Sequence, residues 1–262
     1  MTIPFYKYQG TGNDFIMVDQ RKDQYIVKAD VKLIEQMCDR RFGIGADGLI
    51  LLEEHETLDF EMVYFNADGR QSSMCGNGGR CIIAFAKFLN HIENECQFMA
   101  IDGTHVGKIN STGEVELKMN DVSNIQSIGE DFVMDTGSPH YICFKDNVMG
   151  LNIVKEGQKI RYNETYSVEG INVNFVEIKD NGILVATYER GVEGETLSCG
   201  TGVTAAALAF AESNPNIRKE VAIHAKGGQL KIKFEKSNQG YSDIWLCGPA
   251  EQVFRGKFDH GN

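Results

Sequence analysis

Short runs in which apolar and polar residues alternate recur along most of the chain, and this spacing predicts strands rather than helices. Glycine and asparagine residues separate the runs and predict turns between them. The clearest runs are 48–53, 60–65, 114–119, 171–178, 183–188 and 230–234. Strands therefore dominate the secondary structure that the sequence predicts.

Other segments have helical spacing. Residues 30–42 combine a one-sided apolar pattern with Asp30, which suits an N-cap, and Gly43, which suits a helix end, so they predict an amphipathic surface helix. Two further segments follow Cys75 and Cys199 and are apolar on nearly every side. A helix of that kind must be buried, because it has no polar face to turn toward solvent.

The two cysteines begin matching motifs. CGNG at 75–78 and CGTG at 199–202 lie 124 positions apart, and TGN at 11–13 is followed 125 positions later by TGS at 136–138. A repeat of this length indicates a duplicated domain, because solenoid repeats are only about 20–50 residues long. The chain is therefore expected to contain two copies of one domain.

A buried helix in a domain made mainly of strands favours a sheet that curves around the helix. We therefore predict an α+β fold with two pseudo-symmetric domains, 1–120 and 121–254, each a curved, mainly antiparallel sheet wrapped around a central helix. Polar residues accumulate at 120–128, which suits a domain boundary. The active site is expected in the cleft between the domains, where both helix starts would meet.

Charge and composition argue against several classes of partner and location. The 262 residues include 26 Lys and Arg against 37 Asp and Glu, a net charge of −11. This charge argues against nucleic acid and anionic membranes as partners. No apolar stretch approaches the ~20 residues that cross a bilayer, and the N-terminus lacks a signal-peptide layout. We therefore expect a cytoplasmic protein.

The seven cysteines include no Cys-x-x-Cys pair, and their odd number and the size of the chain predict reduced thiols. Most lie among apolar neighbours, where a small buried hydrophobe is expected. These are Cys38, Cys81, Cys96, Cys143 and Cys247. The six histidines do not pair with cysteine or with each other at ligand spacing, so no metal site is expected.

Cys75 and Cys199 differ from the other cysteines because each stands just before a predicted helix. Unpaired backbone N–H groups and the positive end of the helix dipole favour a thiolate at such a position. A single motif of this kind would favour a plain glycine-rich helix start with a buried cysteine. Two matching motifs favour two-base chemistry, in which one thiolate and one thiol flank one carbon.

The segment GIGADG at 43–48 matches the dinucleotide-binding pattern G-x-G-x-x-G. That pattern binds a nucleotide when it follows a strand and opens a helix. Here a predicted helix precedes it and a predicted strand follows it. We therefore interpret the segment as a tight helix-to-strand connection.

Several motifs together resemble the diaminopimelate epimerase family, a group of cofactor-independent enzymes with two cysteines. They are GTGNDF at 10–15, GIGADG at 43–48, FNADG at 65–69, MCGNGGR at 74–80, TGSPH at 136–140, ERG at 189–191 and ETLSCGTG at 195–202. The resemblance covers essentially the whole chain. It implies an isomerase that interconverts LL- and meso-diaminopimelate, a diacid, in lysine and peptidoglycan precursor biosynthesis. It also implies that the tail, 255–262, pairs with the first domain.

The resemblance implies roles for particular residues. Cys75 and Cys199 would be the two bases, and His140 and Glu189 would handle protons or activate a thiolate beside them. The substrate would be bound by Asn13, Asn66, Asn172 and Arg190, with Arg190 on its distal carboxylate.

Helix starts supply a further set of substrate contacts. Backbone N–H groups at Gly76, Asn77, Gly200 and Thr201 would hold the α-carboxylate as it gains enolate-like charge. No cofactor is expected, because nothing in the sequence identifies a Schiff-base lysine or a phosphate site for pyridoxal phosphate.

Two departures from the family concern the predicted substrate end. Ser138 stands where many members have Asn, and the turn 191–194 is one residue longer than the usual form. A related racemase of proline, hydroxyproline, glutamate or histidine therefore remains an alternative. A second alternative is a non-enzymatic redox sensor in which Cys75 and Cys199 form a regulatory disulfide. The sequence leaves open whether the chain forms a homodimer and which cysteine is the base for which stereoisomer.

Overall fold

The computed structural model describes residues 1–217 and 219–261, so the last position of the predicted tail 255–262 lies outside the described residues. The chain forms two compact units. One contains Met1–Leu117 together with the segment that begins at Pro249, and the other contains Lys118–Gly248. Residues 249–254, which the sequence analysis assigned to the second domain, thus belong to the first unit.

The elements of the first unit alternate strands with two helices. In chain order they are β1 (Thr2–Gly10), β2 (Asn13–Asp19), α1 (Val31–Cys38), β3 (Gly48–Glu53), β4 (Phe60–Asn66), α2 (Gly76–Phe88), β5 (Glu95–Ala100), β6 (Gly103–Ile109) and β7 (Val115–Lys118). The last strand of the chain, β17 (Glu251–Asp259), pairs antiparallel with β1 from Gln9 opposite Glu251 to Thr2 opposite Asp259. This pairing places 249–254 in the first unit.

The second unit has a similar succession of elements, with a third strand before its first helix and the additional strand β13 before its second helix. They are β8 (Ile125–Ile128), β9 (Asp131–Asp135), β10 (Pro139–Phe144), α3 (Ile153–Arg161), β11 (Asn172–Lys179), β12 (Gly182–Glu189), β13 (Gly194–Thr196), α4 (Gly200–Ser213), β14 (Glu220–Ala225), β15 (Gly228–Ser237) and β16 (Gly240–Gly248). One 3₁₀ turn, Val148–Gly150, precedes α3.

Strand pairing repeats from one unit to the other. The first sheet has the order β17-β1-β2-β3-β4-β5-β6-β7, with β2/β3 and β4/β5 parallel and the other neighbours antiparallel. The second has the order β8-β9-β10-β11-β12-β14-β15-β16, with β10/β11 and β12/β14 parallel and the other neighbours antiparallel. The predicted α+β class with two mainly antiparallel domains is confirmed.

Each sheet has one helix on each of its two faces. Helices α1 and α3 each connect the strands of the first parallel pair in their sheet, and α2 and α4 each connect the strands of the second. Alternation along the central strands separates the two faces. Ile16, Leu49 and Val63 pack with α1, and their neighbours in sequence point to the α2 side. Strands buried on both faces read as nearly continuous apolar runs, as the burial of β3 illustrates.

The predicted strand runs match observed strands to within a few residues, and both helices after the cysteines are buried along most of their length. The helix predicted at 30–42 is shorter than expected and ends at Cys38. Asp39 leaves the helix in an extended conformation, and its carboxylate accepts from the backbone N–H groups of Arg41 and Phe42, each at 2.7 Å. This turn stops the helix.

The segment 43–48 connects α1 to β3, in agreement with its interpretation as a helix-to-strand connection. Gly45 has a φ of +81°, a conformation that L side chains rarely adopt. Among residues 1–217 and 219–261, none of the helices combines the length and the apolar character needed to cross a membrane.

Replacing Gly157 with alanine is expected to destabilise the protein. A Cβ at Gly157 of α3 would lie 2.5 Å from both Cβ and Cγ of Tyr188, which is fully buried. Overpacking of this kind costs about 1–3 kcal/mol, more than the roughly 0.8–1 kcal/mol by which alanine favours a helix interior. The midpoint of denaturant unfolding measures the effect.

The matched control is Gly194→Ala, where a new Cβ would meet no atom closer than 3.9 Å. Its unfolding midpoint should stay close to that of the wild type. A Gly157→Ala protein as stable as the control would contradict the close packing of α3 on β12.

Candidate active site

Cys75 occupies the N-cap of α2, in an extended conformation with φ −100° and ψ 144°. Its sulfur accepts a hydrogen bond from the backbone N–H of Gly78 at 3.2 Å. A Cβ at Gly78 would lie 3.1 Å from Ile50 Cδ1 and 3.4 Å from the Cys75 sulfur. Glycine therefore lets the helix start close to both the sheet and the thiol.

Cys199 occupies the equivalent N-cap of α4, with φ −115° and ψ 115°, and is buried. Its sulfur lies 3.5 Å from the hydroxyl of Thr201. Both cysteines therefore stand at the positive ends of long, buried helices, where backbone N–H groups of the first turn face outward and favour a thiolate.

Asn13 is held beside Cys75 in the first unit. Its Nδ2 donates to Asp47 at 2.7 Å, which fixes the amide because a carboxylate only accepts. Asn13 Oδ1 then accepts from Asn77 Nδ2 at 3.3 Å and lies 3.8 Å from the Cys75 sulfur. The predicted residues Asn13, Cys75, Gly76 and Asn77 thus lie together.

Arg80 is a fully buried cation at this helix start. It donates to the side-chain oxygens of Asn77 at 3.0 Å and Thr11 at 3.1 Å, and to the carbonyls of Gly76 at 3.3 Å and Pro249 at 3.4 Å. The sequence analysis included Arg80 in a motif but assigned it no role. It holds the amide of Asn77 and so orders the cluster around Cys75.

A pair of aspartates ties this cluster to β1 and to the loop after α1. Asp14 forms ion pairs with Lys7 and Arg40, both at 2.6 Å. Burial opposes ionisation of Asp14, but hydrogen bonds and charge from Arg40 and Lys7 outweigh it and lower the pKa of that carboxyl. Arg40 also pairs with Asp47, the acceptor for Asn13, at 2.7 Å.

Asn66 lies at the end of β4 and is exposed, and its backbone N–H donates to the Arg70 carbonyl at 3.0 Å. Its side chain is therefore exposed to solvent at the end of the strand. The structure therefore does not bring Asn66 into the hydrogen-bonded cluster of Asn13 and Asn77.

In the second unit, His140 of β10 lies beneath the start of α4 and is fully buried. Its Nε2 lies 2.9 Å from the Thr201 hydroxyl and its Nδ1 lies 3.0 Å from Asn174 Nδ2. Burial, reinforced by the charge of Arg190, lowers the pKa of His140 to about 3. The imidazole is therefore neutral at physiological pH.

Asn172 organises the segment around Arg190. Its Nδ2 donates to Ser138 Oγ at 2.8 Å and to the Pro139 carbonyl at 3.1 Å, and its Oδ1 accepts from the backbone N–H of Arg190 at 2.8 Å. The guanidinium of Arg190 donates to the Glu169 carbonyl at 3.0 Å. Ser138 therefore contacts Asn172 directly.

Glu189 ends β12, immediately before Arg190. Burial raises the pKa of Glu189. A carboxyl with a raised pKa is suited to proton transfer near neutral pH.

The longer turn 191–194 is anchored by Glu193, which has a φ of +55°. Its carboxylate accepts from the hydroxyls of Tyr188 at 2.7 Å and Tyr162 at 2.9 Å. It also accepts from Arg161 at 3.3 Å and from the backbone N–H of Gly191 at 3.2 Å. Glu193 thus ties the turn to the end of α3 and to β12.

Two polar residues of the second unit were missed by the sequence analysis. Asn174 and Thr187 are buried and joined by a hydrogen bond from the Thr187 hydroxyl to Asn174 Oδ1 at 2.9 Å. Asn174 follows Asn172 at an alternate position of an apolar strand, so a polar face of β11 was readable from the sequence. Nothing in the sequence indicated that Thr187 faces it.

The predicted residues of the second unit form two hydrogen-bonded groups. The first contains His140, Cys199 and Thr201 at the start of α4, where Gly200 is the first helical residue. The second joins Asn172 and Arg190 at the ends of β11 and β12. Within 1–217 and 219–261, no three His, Cys, Asp or Glu side chains converge as metal ligands would.

The structural features can be compared with known proteins. The sequence profile of the family described as diaminopimelate epimerase matches residues 5–125 and 132–253. A diaminopimelate epimerase of Flavobacterium psychrophilum is 50% identical over 251 residues, covering 95% of this chain and 97% of the relative. That of Chlorobaculum tepidum is 40% identical over 256 residues, covering 94% and 98%.

The fold is also found at low identity. A Bacillus anthracis phenazine biosynthesis protein of the PhzF family has a TM-score of 0.79 with this chain at 13% identity, covering 99% of this chain and 100% of that chain. This similarity concerns the fold alone. The profile match and the 50% identity extend over nearly the whole sequence. The chain therefore belongs to the diaminopimelate epimerase family.

Proposed function

We propose that this protein is an epimerase that interconverts LL- and meso-diaminopimelate without pyridoxal phosphate, in lysine and peptidoglycan precursor biosynthesis. The observation that carries the proposal is the pair of cysteines at the N-caps of α2 and α4, two helices in equivalent places of a duplicated fold. Membership of the diaminopimelate epimerase family supports the choice of substrate.

Inversion of the α-carbon requires a base on one face and an acid on the other. In our proposal Cys75 and Cys199 take these parts: one thiolate removes the α-proton while the other thiol delivers its proton to the opposite face. The products are the amino acid with an inverted α-carbon and a cysteine pair with exchanged protonation states. The former thiolate is now a thiol, and the former thiol is now a thiolate. The reverse reaction uses the same groups with their roles exchanged.

The electrons left on the α-carbon spread into the α-carboxylate. Backbone N–H groups of Gly76, Asn77, Gly200 and Thr201 would hold that carboxylate, because the first turn of a helix leaves such groups without intrahelical acceptors. Donors that are already oriented stabilise the developing charge without reorganisation. This contribution takes the place of an electron sink such as pyridoxal phosphate, and we expect no cofactor.

The remaining predicted residues bind the substrate and tune the thiols. Asn13, Asn66 and Asn172 would contact the substrate, and Arg190 would bind its distal carboxylate. Glu189, with its raised pKa, is suited to proton handling. His140 is neutral and buried, which suits a hydrogen-bond donor better than a charged acid.

The proposed binding partner is the small-molecule substrate. Neither nucleic acid nor a membrane is expected as a binding partner. The cytoplasmic location stays a prediction, and whether the chain forms a homodimer stays open. Sedimentation of the purified protein over a range of concentrations tests the homodimer directly.

Replacing either Cys75 or Cys199 with alanine is expected to reduce epimerisation by about 100-fold or more, because each variant lacks one of the two acid–base groups. The readout is solvent deuterium incorporation at the α-carbon, together with turnover of LL- and meso-diaminopimelate. Cys96→Ala is the matched control, since Cys96 is a buried thiol in β5 and belongs to neither helix start.

Equal loss of activity in Cys96→Ala would point to general instability. Normal epimerisation by either of the other two variants would rule out the two-base mechanism. A protein that shows no turnover at all, with reversible oxidation of Cys75 and Cys199, would favour the redox sensor.

Among amino acids, LL-diaminopimelate is expected to be the preferred substrate. The comparison set is proline, hydroxyproline, glutamate and histidine, assayed by α-hydrogen exchange in deuterated water at equal concentration. The distal amino-acid centre of diaminopimelate, with both its amino group and its carboxylate, supplies contacts that these four amino acids lack, and polar groups left without partners disfavour them. Exchange confined to the other amino acids would overturn the proposed substrate.

Arg190→Met should lower kcat/KM for LL-diaminopimelate by roughly 10- to 100-fold, since a charged hydrogen-bonded contact is worth about 1.5–3 kcal/mol. The effect should lie mainly in KM, because the distal carboxylate is bound equally before and during proton transfer. Arg41→Met, at an exposed position after α1, is the control. An unchanged KM in Arg190→Met would contradict the distal role of Arg190.

A further inference from the structure

The orientation of the Asn174 amide is fixed by its surroundings. Asn174 Nδ2 lies 3.2 Å from the backbone carbonyl of Tyr141, which can only accept a hydrogen bond, so this atom must be the amide nitrogen. Asn174 Oδ1 accepts from the Thr187 hydroxyl at 2.9 Å. The reversed amide would place two oxygens against each other at Tyr141.

This orientation determines the tautomer of His140. Asn174 Nδ2 has a second hydrogen, and it points to His140 Nδ1 at 3.0 Å. The Nδ1 atom must therefore accept and be unprotonated. Because the neutral ring carries one proton, that proton lies on Nε2, which donates to the Thr201 hydroxyl oxygen at 2.9 Å.

The chain of hydrogen bonds continues to a cysteine. The Thr201 oxygen accepts from His140, so its own proton is available for another acceptor. The sulfur of Cys199 lies 3.5 Å from this oxygen. A hydroxyl that donates to sulfur stabilises the thiolate relative to the thiol.

We propose that Asn174 is a positioning residue that holds His140 as its Nε2–H tautomer and thereby makes the Thr201 hydroxyl a hydrogen-bond donor to the sulfur of Cys199. Asn174 does not itself reach the sulfur or the substrate site in this scheme. It acts through His140 and Thr201. Its importance for epimerisation rests on the proposed function, whereas the tautomer and the direction of the hydrogen bonds do not.

The duplicated fold provides an internal comparison. Strands β2, β3 and β4 pair in the same directions as β10, β11 and β12. The positions that correspond to His140, Asn174 and Thr187 in this pairing are Phe15, Ile50 and Tyr64.

The first unit fills those positions with mainly apolar contacts. Phe15 and Tyr64 pack edge to face with ring centroids 5.9 Å apart, and Ile50 lies under Gly78 at the helix start. The shared fold therefore does not require three polar side chains at these positions. Burying three polar side chains is unfavourable unless all are satisfied, which favours a specific role for them in the second unit.

Gly202 keeps the second helix start in contact with this network. A Cβ at Gly202 would lie 2.5 Å from Asn174 Oδ1 and 3.3 Å from His140 Cε1. Glycine at this position of the Cys-Gly-Thr-Gly motif lets α4 begin directly over the amide and the ring. The motif and the buried polar residues are thus parts of one arrangement.

Charge does not choose between the two neutral tautomers of His140, whereas the hydrogen bond from Asn174 does. Arg190 is the charged group that acts on His140, and its positive charge opposes protonation of the ring. Protonation to imidazolium is therefore disfavoured both by burial and by Arg190. The choice between the two neutral forms depends on which ring nitrogen meets a donor, and Asn174 supplies the donor at Nδ1.

The first experiment measures the imidazole ¹⁵N resonances of the wild-type protein without substrate, with His140→Gln used to assign the signals. We expect an unprotonated Nδ1 and a protonated Nε2 for His140. A protonated Nδ1 would overturn the proposal. Because this measurement needs neither turnover nor an Asn174 variant, it is independent of the proposed function and of folding in the variants.

The second experiment measures how fast iodoacetamide alkylates Cys199 as pH varies, in a Cys75→Ala background. Asn174→Leu should raise the midpoint of this profile by about one pH unit, since a hydrogen bond to a charged group is worth about tenfold or more. Thr201→Val should raise it similarly, and Thr201→Ser should restore the wild-type midpoint.

Combining Asn174→Leu with Thr201→Val should give no further shift, because both changes interrupt one hydrogen-bond chain. Asn124→Leu, at an exposed position, is the matched control and should leave the midpoint unchanged. An unchanged midpoint in Asn174→Leu, or additive shifts in the double variant, would overturn the proposal. A raised midpoint together with normal epimerisation, the latter measured in the same variants with Cys75 retained, would instead count against the proposed function of Cys199.

Discussion

The start of a buried helix is the constraint on which the rest of this structure depends. Helices α2 and α4 are enclosed along most of their length, so the N–H groups of their first turns must find acceptors in a confined space. A cysteine at each N-cap brings a polarisable sulfur to this position. Glycine at Gly78 and Gly202 removes the Cβ that would otherwise push the helix away from the sheet.

Duplication places this constraint in the chain twice, but the surroundings of the two sulfurs differ. Around Cys75 the partners are backbone and amide groups ordered by a buried arginine, Arg80. Around Cys199 a threonine hydroxyl stands between the sulfur and a neutral histidine. The same fold therefore supports two different chemical environments, which suits the proposed two-base reaction, in which the two thiols hold different protonation states.

The departures at Ser138 and in the turn 191–194 leave this fold unchanged. Ser138 accepts from Asn172, which in turn orients the backbone of Arg190. The longer turn is held in place by Glu193, whose carboxylate accepts hydrogen bonds from Arg161, Tyr162 and Tyr188. Insertions at the ends of strands are tolerated because they do not disturb the pairing of the sheet.

The sequence by itself predicted the six clearest strands, the two buried helices and the duplication, because alternation and helical periodicity are local properties of the chain; it did not predict α3. It predicted the helix 30–42 too long, since the carboxylate of Asp39 ends it through contacts that periodicity does not contain. Only the tertiary structure decided that Arg80, Asn174 and Thr187 are buried beside the helix starts. The reason is physical: those contacts join strands and helices far apart in sequence, so the direction of each hydrogen bond depends on pairing that no local pattern records.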